Sequence, residues 1–230
     1  MKTLVIPDVH ENVWAIKALE DEINKAERIV FLGDFFDTFN PDKKVAEMIS
    51  LVKSLLLDER CTVLLGNHDC HYYFPNYAFC CSGYRPATRE AVQAQITKDE
   101  IRKIRIWTQV GPYTCSHAGF VEDTFPMMKE EIHKEAMELG ITGTRVHPLF
   151  AAGRARGGPA KVGGPTWCDW NLEFDPIEGR PQIVGHTVGR VVRQAGVGDD
   201  LPSYCLDTNQ RTAAWVDEET GEVEIVDIKL

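Results

Sequence analysis

The sequence predicts an α/β fold built around a parallel sheet. Three short β-branched and apolar runs, TLVIP (3–7), RIVFL (28–32) and TVLL (62–65), alternate with stretches of helical spacing. The intervals between the runs are long enough for the crossovers that parallel pairing requires. Each run also ends on polar or glycine residues, and ligands of such sheets gather beyond the carboxyl ends of the strands.

Each element has its own justification. A first helix opens at Glu11 or Asn12, which suits a cap, and carries Trp14, Leu19, Ile23 and Ala26. A second places Val45, Met48, Ile49, Val52, Leu55 and Leu56 on one apolar face. Residues 86–106 and 127–139 read as further helices, and YTCS (113–116) and QIVG (182–185) as further strands. AAGRARGGPAKVGGP (151–165) reads as an exposed loop, and TAAWVDEETGEVEIVDI (212–228) as a hairpin around a Thr-Gly turn. The chain, 1–230, is expected to form one domain with an insertion at about 123–165, whose length and glycine content suit a lid.

Composition narrows the function. A formal net charge of -10 argues against a sequence-independent grip on nucleic acid, so an acidic chain that binds phosphate needs a local cation. No apolar run reaches membrane-spanning length, and MKTLVIPDVH lacks the h-region of a signal peptide, which suggests a cytoplasmic protein. Seven cysteines with no C-x-x-C spacing read as reduced, mostly buried thiols.

The residues after the strands carry the chemistry. Asp8 and His10 follow the first strand, Gly33, Asp34 and Asp37 the second, and Gly66, Asn67, His68 and Asp69 the third. His117 follows YTCS within SHAGF, and His186 follows QIV within GHT. Singly, each reads as readily as a helix cap, a turn former or a structural histidine. Together, in order and at five strand ends, they place oxygen and nitrogen ligands on one rim. In Asp8-x-His10 both side chains point to one side while the backbone is extended. Asp34 has two oxygens and can bridge cations about 3.5–4 Å apart, the spacing of two-metal hydrolases. A mixed nitrogen and oxygen shell suits manganese, iron, zinc or nickel better than calcium and does not itself choose among them. Two divalent ions are expected, manganese first, with iron, zinc or nickel as alternatives.

Asp8-Val-His10, Gly33-Asp34-Phe-Phe-Asp37, Gly66-Asn67-His68-Asp69, Ser116-His117-Ala-Gly and Gly185-His186-Thr resemble the motif series of the calcineurin-like metallophosphoesterases. Within them the chain is most similar to the branch of phosphoprotein phosphatases, their bacterial and phage relatives, and symmetrical diadenosine tetraphosphatases. YCLDT (204–208) also resembles that branch. The resemblance implies a four-layer α/β/β/α sandwich. It implies one divalent metal on Asp8, His10 and Asp34, and a second on Asp34, Asn67, His117 and His186. It also implies His68 as general acid, oriented by Asp37, with hydroxide shared by the metals attacking phosphorus.

The sequence departs from the family at two phosphate-clamping arginines, whose positions hold Thr38 and Leu65. Arg154 and Arg156 of the glycine-rich loop are candidate replacements, with Arg180 and Arg190 behind them. Asp69 replaces the Glu of the phosphoprotein phosphatases, and Gly-His-Thr-Val lacks the second histidine common in nuclease and cyclic phosphodiesterase branches. In GPTWCDWNLEF (164–174), Trp167 and Trp170 are expected to fill the core edge. The expected activity is hydrolysis of phosphomonoesters, on a phosphoprotein or a small phosphorylated compound. The alternatives are hydrolysis of dinucleoside polyphosphates, and a metal-binding scaffold without turnover.

Overall fold

Strand side chains alternate between two cores. Leu4, Ile6, Ile29, Phe31, Val63 and Leu65 face one apolar cluster, whereas Val5, Val30, Leu32 and Leu64 face another. A sheet with both faces apolar must be covered on both sides. The computed structural model describes residues 1–38, 43–196, 198 and 200–229. The strands are β1 (Lys2–Ile6), β2 (Arg28–Phe31), β3 (Cys61–Val63), β4 (Trp107–Val110), β5 (Tyr113–Ser116), β6 (Gln182–Val184), β7 (Arg193–Ala195), β8 (Ser203–Cys205), β9 (Thr212–Asp217) and β10 (Val223–Asp227). They form two mixed five-stranded sheets, ordered β10-β9-β1-β2-β3 and β4-β5-β6-β8-β7. β1, β2 and β3 are parallel, as are β5, β6 and β8.

Val110, Tyr113, Cys115, Ile183 and Leu206 join Val5, Val30, Leu64, Ala214 and Val216 in the core between the sheets. The helices are α1 (Val13–Ala18), α2 (Glu20–Lys25), α3 (Val45–Leu55), α4 (Asn67–Tyr73), α5 (Pro86–Gln95), α6 (Lys98–Ile101) and α7 (Glu130–Thr142). α3 buries Met48, Ile49, Val52 and Leu55 in the core on the other face of the first sheet. Each such side chain contributes roughly 1.5–3 kcal/mol of burial. Around Val184 and Cys205 the second sheet is covered by Trp170 and Phe174, whose rings stack at 4.3 Å. This α/β arrangement of two sheets flanked by helices is the one expected, and β9 and β10 form the expected hairpin.

Several elements differ from their sequence reading. The first crossover divides at Leu19, where Glu20, Asp21 and Glu22 open a new helix with carboxylates at its positive end. The expected helix over 86–106 stops at Gln95 because Ile96 is extended, and Thr97 then caps α6. There Thr97 Oγ1 accepts from Glu100 N at 3.2 Å, and Glu100 Oε2 accepts from Thr97 N at 2.7 Å. Asn67–Tyr73, read as polar residues after a strand, is a helix. The glycine-rich loop is pinned from beneath: Glu173 accepts backbone bonds from Ala155 and Gly163 at 3.0 Å and from Asp169 at 3.2 Å. All seven cysteines are free, and no helix among the described residues is long and apolar enough to cross a membrane.

His133 of α7 is buried with Nδ1 unpartnered. Burial, helped by Arg105 and Lys134 and opposed by Glu130, pulls its pKa from 6.5 down to about 4. Between those values the unfolded chain holds the extra proton, so stability falls as pH drops from 6.5 towards 4, by at most about 3 kcal/mol. His133→Leu is expected to flatten that part of the stability profile in denaturant titrations; an unchanged slope would refute the assignment.

Candidate metal centre

The strand-end residues converge because the loops that carry them are bonded to one another. Val9 N and His10 N both donate to Asp34 O, at 3.0 and 2.8 Å. Asp69 accepts from Asp34 N at 2.8 Å, Phe35 N at 2.9 Å and Gly66 N at 3.1 Å, tying the loop after β2 to the start of α4. The carboxylate of Asp8 accepts from His186 N at 3.0 Å, joining the two sheets. Two motif glycines answer to this crowding. A Cβ on Gly66 would lie 2.1 Å from Asp34 Oδ1, and one on Gly185 2.1 Å from Asp8 Oδ2.

The backbone is strained where the site is. His10 (φ 47), Asp34 (φ 53), Asp37 (φ 67) and His186 (φ 65) adopt left-handed conformations. Each costs about 1 kcal/mol or more and persists only where the surroundings enforce it.

Asp8, His10 and Asp34 form one group able to hold a cation, and Asp34, His117 and His186 another. Asp34 Oδ2 is common to both, at 3.7 Å from His10 Nε2 and 3.3 Å from His117 Nε2. His117 Nε2 also lies 3.0 Å from Asn67 Oδ1 and 3.2 Å from His186 Nδ1. His117 Nδ1 is 2.9 Å from Leu32 O and His10 Nδ1 is 2.8 Å from Phe36 O. Protons placed on those Nδ1 atoms leave each Nε2 lone pair facing the carboxylate, the way metal-binding imidazoles are held. Burial opposes charge on Asp34, but His117 and His68 outweigh it and hold the carboxyl well below its usual range. Burial, with His117 beside it, keeps His186 well below the usual histidine range and therefore neutral. Burial opposes charge on His117, but Asp34 prevails and raises its pKa to about 9, so His117 shares with Asp34 a proton that a cation would displace. Carboxylate oxygens, an amide oxygen and imidazole nitrogens converging in this way fit divalent cations.

Beside this group His68 Nδ1 lies 2.9 Å from Asp37 Oδ2. Burial lowers the affinity of His68 for its proton, but Asp34 and Asp37 prevail and raise its pKa to about 11. Asp37 is pushed up by burial and down by bonds from His68 and His71, with a net fall to about 2. Tyr72 donates to its other oxygen, and Arg85 stands 3.8 Å away while pairing with Glu11.

A cleft of about 1350 Å³ opens over these groups, lined among others by His10, His68, Cys81, Phe150, Arg156 and Trp167. Arg156 Nη2 donates to Thr187 Oγ1 at 2.9 Å, and its Nε is 2.8 Å from Asp169 Oδ2. Arg154 is exposed outside this lining, as are Arg180 and Arg190. Leu65 is buried in the helix-side core, whereas Thr38 lines the cleft. The two tryptophans part company: Trp170 packs in the core edge as expected, but Trp167 is half-buried in the cleft, its ring 5.8 Å from that of His186.

Sequence reasoning gave no part to His71, Tyr72, Arg85 or Glu11, which surround Asp37. For Glu11, read only as a possible helix cap, and for His71 and Tyr72 the advance signal was nearness to the strand-end motifs; Arg85, sixteen residues beyond Asp69, carried none.

The fold and the rim of Asp, Asn and His side chains define a metal-dependent phosphoester hydrolase. The chain belongs to the calcineurin-like phosphoesterases, whose family model matches residues 1–189. None of the curated proteins matches the chain in sequence. Among solved structures it is similar to a cold-active protein-tyrosine phosphatase of a psychrophilic Shewanella (14% identity, TM-score 0.62, 99% of this chain and 80% of that one). It is also similar to a Saccharomyces cerevisiae protein serine/threonine phosphatase (16%, 0.56, 100% and 80%). A putative diadenosine tetraphosphatase is a third neighbour (15%, 0.54, 98% and 93%). At these identities the likeness is one of fold.

Proposed function

We propose that the chain is a dinuclear phosphatase that hydrolyses phosphomonoesters, on phosphoserine or phosphothreonine or on small phosphorylated compounds. The observation that carries this reading is Asp34 Oδ2, one carboxylate oxygen facing His10 on one side and His117 on the other. Asp8, His10 and Asp34 would hold one cation, and Asp34, Asn67, His117 and His186 the second, with manganese the ion expected to work best. Bound there, the cations would supply an activated water and neutralise phosphoryl charge. They would also let an acidic chain attract phosphate.

The protein's own side chains do the rest. His68 carries the proton for the leaving oxygen, and Asp37 keeps it an imidazolium. Arg156, held by Asp169 and Thr187, presents a guanidinium to the cleft where the family's arginines are missing. Trp167 supports a second reading, since an aromatic face beside His186 can stack a base of a dinucleoside polyphosphate.

Metal-stripped protein is expected to hydrolyse p-nitrophenyl phosphate only after a divalent ion is restored, with manganese ahead of magnesium. No restored activity with manganese, nickel, zinc, iron or magnesium would refute the monoester reading. A higher rate on diadenosine tetraphosphate than on the aryl ester would replace it with the second.

A further inference from the structure

Behind His68 lie two side chains, His71 and Cys81, to which this reaction gives no direct part. Cys81 directs Sγ to 3.4 Å from His71 Nδ1 and 3.8 Å from His68 Nδ1. The candidate ligand atoms of His68, His71 and Cys81 all lie within 4.8 Å of one another. In a tetrahedral zinc site, bonds of about 2.3 Å to sulfur and 2.0–2.1 Å to nitrogen put those atoms about 3.5 Å apart. The two observed sulfur–nitrogen distances bracket that value.

The imidazole of His71 is set up for it. Its Nε2 lies 2.7 Å from Asp37 Oδ2 and its ring is fully buried. A proton on Nε2, beside the carboxylate, leaves the Nδ1 lone pair to Cys81, whose sulfur and backbone N–H both stand 3.4 Å from it. An ion would take the place of that long N–H contact, with the carboxylate behind the imidazole as in metal-binding histidines. His68 and Cys81 both line the cleft, which gives an ion a way in and leaves room for a solvent ligand. The donor set differs from that around Asp34: a thiolate with two imidazoles selects zinc over manganese or magnesium.

We propose that His68, His71 and Cys81 form a third, zinc-selective site whose occupation switches hydrolysis off. Binding releases the thiol proton of Cys81 to solvent. It also displaces the proton on His68 Nδ1, now shared with Asp37 Oδ2 at 2.9 Å, and releases it to solvent as a second proton, so that the ion takes its place. His68 is then a neutral, metal-bound imidazole and no longer an imidazolium donor. The switching rests on His68 being the acid of the proposed reaction; the binding of the ion does not.

The test uses the full chain, wild type beside Cys81→Ala, loaded with manganese and titrated with zinc. Wild type is expected to hold one more zinc per chain than the variant. It is also expected to be inhibited at zinc concentrations at least about tenfold lower, the scale of affinity lost when a metal's support is removed. Cobalt in place of zinc is expected to give a sulfur-to-cobalt charge-transfer band in wild type that the variant lacks. Zinc exchange around Asp34 would affect both proteins alike. Equal zinc content and no band dependent on Cys81 would overturn the site. A band without loss of turnover would overturn the switch and, with it, the role given to His68. A band in a protein that hydrolyses nothing with any metal would support the site while refuting the proposed function. Cys81→Ser, closer in volume, repeats the comparison if the alanine variant unfolds.

Discussion

Asp34→Asn is expected to lower phosphatase activity on the order of 10³-fold or more and to reduce bound divalent metal, without unfolding the protein. The carboxylate supplies the oxygen that both candidate cation groups share, so its loss strikes both at once. Losing even a supporting residue behind a metal typically costs 10–100-fold in affinity or activity, and a shared ligand should cost more. The fold should survive because Asn keeps an oxygen for His68 N, which Asp34 Oδ1 binds at 2.9 Å. Its amide can then donate to His117 Nε2, which Oδ2 faces at 3.3 Å. Metal content by mass spectrometry and hydrolysis of p-nitrophenyl phosphate, alongside thermal unfolding, decide the matter. Metal-restored activity within tenfold of wild type in the variant would mean that Asp34 bridges nothing.

The rim of this site was legible because strand ends are legible. β1, β2 and β3 are short, mostly apolar runs with abrupt polar ends, β5 and β6 are short runs that end on a histidine motif, and parallel pairing within each sheet aligns those ends. What surrounds the rim was not. Asp69 could be seen as a turn former, but its three backbone bonds to Asp34, Phe35 and Gly66 depend on packing between separate loops. The sequence marks α4 poorly because its first turn is polar and ligand-rich, with the apolar Tyr72, Tyr73 and Phe74 only at its end. Trp167 and Trp170 show the same limit. Three residues apart and alike in type, one stacks on Phe174 and the other faces the cleft, a distinction set by how 163–173 folds back on itself around Glu173. Arg154 and Arg156 divide in the same way within a single turn, because only Arg156 meets Asp169 and Thr187.

His68→Asn is expected to keep the metals and lose the acid. A positioned general acid contributes about 10²–10⁴-fold, and that loss should fall on esters whose leaving group needs a proton. Hydrolysis of an alkyl ester such as a phosphoserine peptide should drop across that range. p-Nitrophenyl phosphate, whose leaving group departs as a stable anion, should drop far less. Asp37→Asn should act on the same step by a different route. Asp37, together with Asp34, holds the pKa of His68 up to about 11 against its burial. A group raised in this way is protonated below its folded pKa and loses its proton as pH rises through it. Removing one of the two supporting charges therefore moves the alkaline limb of the kcat/KM profile to lower pH. In His68→Asn no such limb remains to move. Asp37 also receives Tyr72 and neighbours His71 and Arg85, so its variant should be less stable as well, and pH profiles must be read from protein shown to be folded. Equal losses on the alkyl and aryl esters in His68→Asn, with metal content intact, would remove His68 from proton transfer. An undiminished rate on both would favour a metal-binding scaffold whose residual hydrolysis is incidental.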